Sequence, residues 1–231
     1  MPTSGAALGA ALSGTDAVIL AGGRGTRLGG VDKPSLTVGG RTLLASALQA
    51  GAGARRIVVV GPATLPVPEG VLRTQEDPPF GGPVAALAAG LAALDRSAGS
   101  AGPGWVLLLA ADLPHASDAV AALAPVTAAL DRDGDTSADG VCLRDQDGRW
   151  QWLAGVYRRA ALEAALAHLP TVRDASLRRL LGTLHLVPVD GSPDTVADID
   201  TRADLEAARS AGGADLADSE RHPRPPRTEQ Q

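Results

Sequence analysis

The stretch that decides the fold is DAVILAGGRGTRLGGVDKPSL, Asp16–Leu36. An apolar run, of the kind buried in a parallel sheet, leads straight into a loop with five glycines, Arg24, Arg27 and Lys33. Glycines let backbone N–H groups approach an anion closely, and the three cations add positive charge. Two familiar phosphate loops are excluded. The chain holds no Gly-Lys dipeptide, so it has no P-loop. Gly23-Arg24-Gly25 begins a dinucleotide fingerprint, but Leu28 stands where the third glycine belongs and Pro34 intervenes before any helix. A hydride-transfer cofactor of the Rossmann type is disfavoured.

Outward from this loop, strands and helices alternate. Strands are read at Asp16–Ala21, Arg56–Val60, Val71–Asp77 (shorter than that span), Trp105–Asp112, Gly140–Leu143, Trp150–Val156 and in LHLVPV. Thr42 caps a helix over Leu43–Ala50, Pro83 sits at the first position of an Ala/Leu-rich helix, and Ser117 opens another through Leu130. Further helices are read near Arg158–His168 and Ser176–Leu181. LHLVPV and TVADID bracket a turn at DGSPD, and Thr201 caps a last helix to Ser210. The pattern predicts a three-layer α/β fold with a doubly wound, mostly parallel sheet. One domain is expected over 15–211, between an N-terminal extension, 1–14, and a Pro-rich polar tail, 212–231, both read as disordered.

Composition narrows the function. Hydrophobic residues make up 45% but aromatics only 2%, so the core must be built from Ala, Val and Leu. A net charge of −5 argues against a nucleic-acid binder. No apolar run approaches the ~20 residues of a membrane span, and the opening segment lacks a basic n-region, so a soluble cytoplasmic protein is expected. Cys142, the sole cysteine, reads as a small buried residue. The four histidines are isolated and read as surface or packing residues. Trp150 and Trp152, at alternating positions, read as stacking against one face rather than as recognising a substrate ring, and Arg178-Arg179 as a solvated helix face that could also meet an anionic substrate. Asparagine is absent, and Lys33 is the one lysine among 21 basic residues. A site that needs a compact point charge rather than a guanidinium fork would resist that drift to arginine.

LAGGRGTRLGGVDK resembles the signature of nucleotidyltransferases with a glycosyltransferase-A-like sheet, LAGG-x-x-x-R-[ML]-G-G-x-x-K, and within them the molybdenum cofactor guanylyltransferase family. EDPPFGGPVAALAAGL, LLLAADLP and VADIDTRADLEAA are similar to three later segments of that family, so the resemblance covers Ala17–Ala208. It implies transfer of GMP from GTP to molybdenum-molybdopterin with release of pyrophosphate. Leu20, Ala21, Gly22 and Gly23 would hold base and phosphates, Arg27 and Lys33 would clamp the triphosphate, and Asp77 would contact the nucleotide. Asp112 would hold Mg²⁺, with Asp200 as a further metal carboxylate. The acceptor side implies molybdopterin as a small-molecule partner and transient contact with molybdopterin-loading or molybdoenzyme-chaperone proteins.

Read alone, Asp112 and Asp77 are first of all cap or turn residues. The family's closing asparagines are Asp198 and Asp200 here, Trp152 stands in a proline position, and the amide at the end of the second strand is replaced by Gly61. A cytidylyltransferase for the same cofactor, or a transferase acting on another phosphorylated acceptor, is the alternative. Related cytidylyltransferases carry LAAG, whereas Gly22-Gly23 leaves room for a purine. A nucleotide-binding protein without catalysis would be expected to lack Asp112 or Lys33, and both are present.

Overall fold

The computed structural model describes residues 14–23, 33–97, 104–199 and 203–210, together with Leu12 and Thr201. Seven strands form one sheet in the order β5-β4-β1-β6-β8-β7-β9. They are β1 (Thr15–Leu20), β4 (Arg56–Val60), β5 (Leu72–Thr74), β6 (Trp105–Ala110), β7 (Gly140–Arg144), β8 (Trp150–Arg158) and β9 (Leu186–Asp190). β1 runs parallel to both β4 and β6, and β8 alone is antiparallel to its neighbours β6 and β7. Every residue of β1 and β6 is buried, as central parallel strands require.

Helices cover both faces, α1 (Leu43–Ala50) and α3 (Ala116–Arg132) on one and α2 (Pro83–Ser97) on the other. The mostly parallel, three-layer α/β architecture is therefore as the alternation of elements predicts. α2 approaches the sheet closely at Gly90, where an added Cβ would lie 2.7 Å from Val18 Cγ1 and 3.1 Å from Val60 Cγ2. Gly90→Ala is expected to cost about 1–3 kcal/mol through overpacking, despite the better helix propensity of alanine. Denaturant unfolding would measure it, and an unchanged midpoint would contradict this packing account.

The short hairpin of β2 (Thr37–Val38) and β3 (Arg41–Thr42) turns at Gly39 and Gly40, with φ of 56° and 77°. Positive φ at both central positions is the requirement of the tight turn that matches strand twist. Thr42 then caps α1, its side chain accepting from the Ala45 N–H at 3.2 Å.

The structure differs from the sequence expectation at three places. α3 starts at Ala116, with His115 at its N-cap, and Ser117 lies inside the first turn. Among its described residues TVADID holds no strand: α6 (Pro193–Val196), after α4 (Arg159–Ala167) and α5 (Leu177–Leu181), takes up its start, and 197–199 lie in neither helix nor strand. There the Ser192 hydroxyl accepts from the Thr195 N–H and Pro193 sets the first helical φ. Within the segment read as an extension, Leu12 is fully buried, and its carbonyl accepts from the Thr15 N–H at 2.9 Å. Packed chain thus begins before β1. The rest of that segment, apart from Gly14, and the whole of 212–231 lie outside the described residues. No helix among the described residues is long and apolar enough to cross a membrane.

Candidate functional site

Strand order reverses at β1. The chain winds outward through β4 and β5, then returns to place β6 on the other flank of β1. Ligands of open α/β sheets bind beyond the carboxyl ends of the strands at such a switch point. Ala21–Gly23 leave β1 there, and Ala111-Asp112 leave β6 beside them, tied by the Ala111 N–H to the Leu20 carbonyl at 2.9 Å.

Two cavities open at this point. The first, about 300 Å³, is walled by Leu20, Gly22 and Gly23 from the β1 side and by Glu76, Phe80, Gly82, Pro83 and Ala86 from the β5–α2 connection. The second, about 240 Å³, is walled by Trp150, Gln151, Trp152 and Ala154 of β8, with Leu113, Leu177, Val196 and Asp198. Ala110, Asp112 and Leu153 line both. Asp112 therefore stands where the two spaces meet.

Lys33 reaches this junction from across the glycine loop. Its Nζ lies 3.6 Å from Asp112 Oδ2, although the two are far apart in sequence. A 3₁₀ turn, Lys33–Ser35, with Pro34 buried, fixes the lysine at the foot of the β2–β3 hairpin. The Ile199 N–H donates to the Asp112 carbonyl at 3.2 Å, which draws the closing segment with Asp198 to the same place. Asp112 and Asp198 bring two hard carboxylates to one cavity. That donor set fits Mg²⁺, which takes one or two carboxylates and completes its shell with phosphate oxygens and water. Among the described residues no cluster of three or more metal-ligating side chains forms.

The structure brings Leu20, Gly22, Gly23, Lys33 and Asp112 together. Ala21, buried, lies between the pocket residues, and its N–H donates to the Val60 carbonyl at 2.8 Å. Asp77 is exposed and does not line either cavity; the acid on the wall is its neighbour Glu76. Arg27 and Asp200 lie outside the described residues. Gly61, where the resembling family has an amide, has no room for any side chain, since a Cβ would sit 2.7 Å from Leu65 Cδ1 and 2.8 Å from the Ala21 carbonyl.

Glu76 and Phe80 were not singled out by the sequence. Glu76 Oε1 accepts from the Phe80 N–H at 2.9 Å, and Phe80, 52% exposed, is held at a φ of 62°. A bulky residue in that left-handed conformation is uncommon and clusters at ligand sites. The available signal was that this is the chain's one phenylalanine, next to a Gly-Gly-Pro. Cys142 is buried, and loss of hydration pushes its thiol up to about 12, so it is no nucleophile.

Residues 17–189 match the MobA-like NTP transferase domain family. No curated protein matches the chain. Among solved structures the chain is similar to a Mycobacterium sp. strain JC1 homologue of Mycobacterium tuberculosis Rv0371c, with 21% identity, 88% of this chain and 98% of that chain covered, and a TM-score of 0.63. It is also similar to molybdopterin-guanine dinucleotide biosynthesis protein A from Archaeoglobus fulgidus, with 17% identity, 86% and 99% coverage, and a TM-score of 0.57. A third is 2-C-methyl-D-erythritol 4-phosphate cytidylyltransferase from Thermus thermophilus, with 21% identity, 85% and 98% coverage, and a TM-score of 0.55. At these identities the likeness is one of fold.

Proposed function

The chain belongs to the MobA-like NTP transferase family, and from that premise we propose that it moves GMP from GTP to molybdenum-molybdopterin. The observation that carries the reading is the position of Asp112 at the junction of two cavities, with Lys33 beside it. A transferase must hold a donor and an acceptor on either side of one reacting atom, and this arrangement offers such a pair of spaces.

In the reaction an acceptor phosphate oxygen attacks the α-phosphorus of the triphosphate. The bond from that phosphorus to the bridging oxygen breaks, and pyrophosphate leaves. The protein's share is positioning and charge neutralisation. Gly22 and Gly23 wall the first cavity, and the nucleotide lies against them. A Cβ at Gly22 would meet only the Val60 carbonyl, at 3.9 Å, and one at Gly23 would meet nothing within 4 Å. The missing side chains leave space for a purine, which supports GTP over CTP. Lys33 supplies a compact positive charge to the phosphates, and Asp112, with Asp198 near it, would hold Mg²⁺. The metal, when bound, neutralises triphosphate charge as it develops on the leaving group.

The test combines purified protein, Mg²⁺, each of the four nucleoside triphosphates and molybdopterin. Pyrophosphate release with GTP alone is expected. Release with CTP alone would overturn the guanine assignment. Nucleotide binding without turnover in any combination would place the chain among non-catalytic nucleotide binders.

A further inference from the structure

Aromatic side chains are scarce here: three Trp, one Tyr and one Phe in 231 residues. Trp105 and Tyr157 are buried, as core residues would be. The other three, Phe80, Trp150 and Trp152, all line the two cavities that meet at Asp112. A chain that fills its core with Ala, Val and Leu has therefore put most of its aromatic surface at one site.

Trp150 and Trp152 stack on each other, with ring centroids 5.7 Å apart and planes 25° from parallel. Their place at the rim of the second cavity depends on an irregularity in β8. Cys142 pairs with Gly155 but Arg144 pairs with Trp150, so residues 151–154 face the single Leu143. Such a bulge re-aims side chains locally. Tyr157 holds it: its hydroxyl donates to the Trp152 carbonyl at 2.8 Å, and its ring lies over Gly155, where a Cβ would come within 2.6 Å of the hydroxyl oxygen. The indoles stay half-buried, one backing the other, on a wall that Asp112 shares.

We infer that Trp150 and Trp152 form a stacking platform that selects an acceptor carrying a flat, fused heteroaromatic ring, and that they set acceptor specificity at this site. The inference rests on the transferase reading above and adds the feature that recognises the acceptor. Indole faces attract flat π-systems. A polyol phosphate offers no such face and would gain little from this wall.

The experiment uses the full chain with Mg²⁺ and GTP, and two acceptors, molybdopterin and 2-C-methyl-D-erythritol 4-phosphate. Trp152→Leu and Trp150→Leu are expected to raise the molybdopterin KM about ten- to a hundredfold, with the KM for GTP held within about twofold and Trp152→Phe close to wild type. An unchanged molybdopterin KM in both leucine variants, or preferred turnover of the polyol phosphate, overturns the platform. A second arm needs no turnover and no variant: titration of wild-type protein with 6-hydroxymethylpterin should quench indole fluorescence saturably, and absence of quenching overturns the platform. Quenching that disappears in Trp152→Leu, together with no pyrophosphate release from any triphosphate, would support the platform while sinking the transferase reading.

Discussion

Asp112→Asn and Lys33→Ala should each lower turnover on the order of a thousandfold or more while leaving the fold intact. Both side chains are partly exposed, at 27% and 20%, and their pair is long at 3.6 Å. A pair of that kind contributes no more than about 1 kcal/mol to stability, so melting temperatures should stay within a few degrees of wild type. The charge that each brings to the junction cannot be replaced by water in the same position, which is why the catalytic loss is large. Lys33→Arg is the more discriminating variant. The chain uses arginine everywhere else, so an arginine that served equally well here would leave the surviving lysine without a physical reason. A guanidinium is broader and delocalised, and it should keep less than about a tenth of the activity. Steady-state pyrophosphate release at saturating GTP measures all three. Near-normal rates in Asp112→Asn or Lys33→Ala would remove that residue from the mechanism.

Much of this site was legible because its parts are local. A buried strand followed by Leu20–Gly23 and the loop that ends in Lys33, and another followed by Asp112, are each written within one short stretch. Strand order then brings the two ends together. The remainder depends on pairing between distant segments. β8 is antiparallel because the Asp145–Arg149 turn closes it onto β7; the Asp145 carboxylate accepts from the N–H groups of Asp147 and Arg149, and Gly148 takes a φ of 78°. Nothing in WQWLAGVYR states that the same strand also lies against β6, nor that residues 151–154 bulge toward the junction. The tryptophans were thus readable as packing against one face, but neither as a pair stacked on each other nor as the wall of a cavity. Glu76 was overshadowed by Asp77 for a related reason: which of two adjacent acids faces the pocket is set by the path into α2, not by residue type.

The second large effect lies at the opposite end of β1. Asp16 is fully buried in the central strand, directly across from Arg56 on β4. Arg56 Nε donates to Asp16 Oδ1 at 3.0 Å while its Nη2 contacts Oδ2, and the hydrogen bond to this carboxylate is the main reason the Arg56 pKa is raised. Arg159, 8% exposed, lies on the other flank with Nη1 3.7 Å from Asp16 Oδ2. Arg159 also binds Asp95 and Glu163, yet its buried Nη1 makes no hydrogen bond. Removing the carboxylate in Asp16→Ala would leave Arg56 without its carboxylate partner and Arg159 with only its outer partners Asp95 and Glu163. The expected cost is about 3–5 kcal/mol, or roughly 10 °C in melting temperature for a chain of this size. Replacing Arg159 with Met in the same chain removes one of the two cations that face the lost carboxylate, so the double variant should be less destabilised than the sum of the single ones. β1 separates this cluster from the cavity at its carboxyl end by roughly 15 Å, so turnover per folded molecule should be unchanged in Asp16→Ala. Thermal unfolding and active-site-normalised rates measure the two quantities separately. A small stability loss would mean that the carboxylate's own desolvation nearly cancels its two attractions, and a loss of turnover in the folded variant would mean that the two ends of the sheet are coupled.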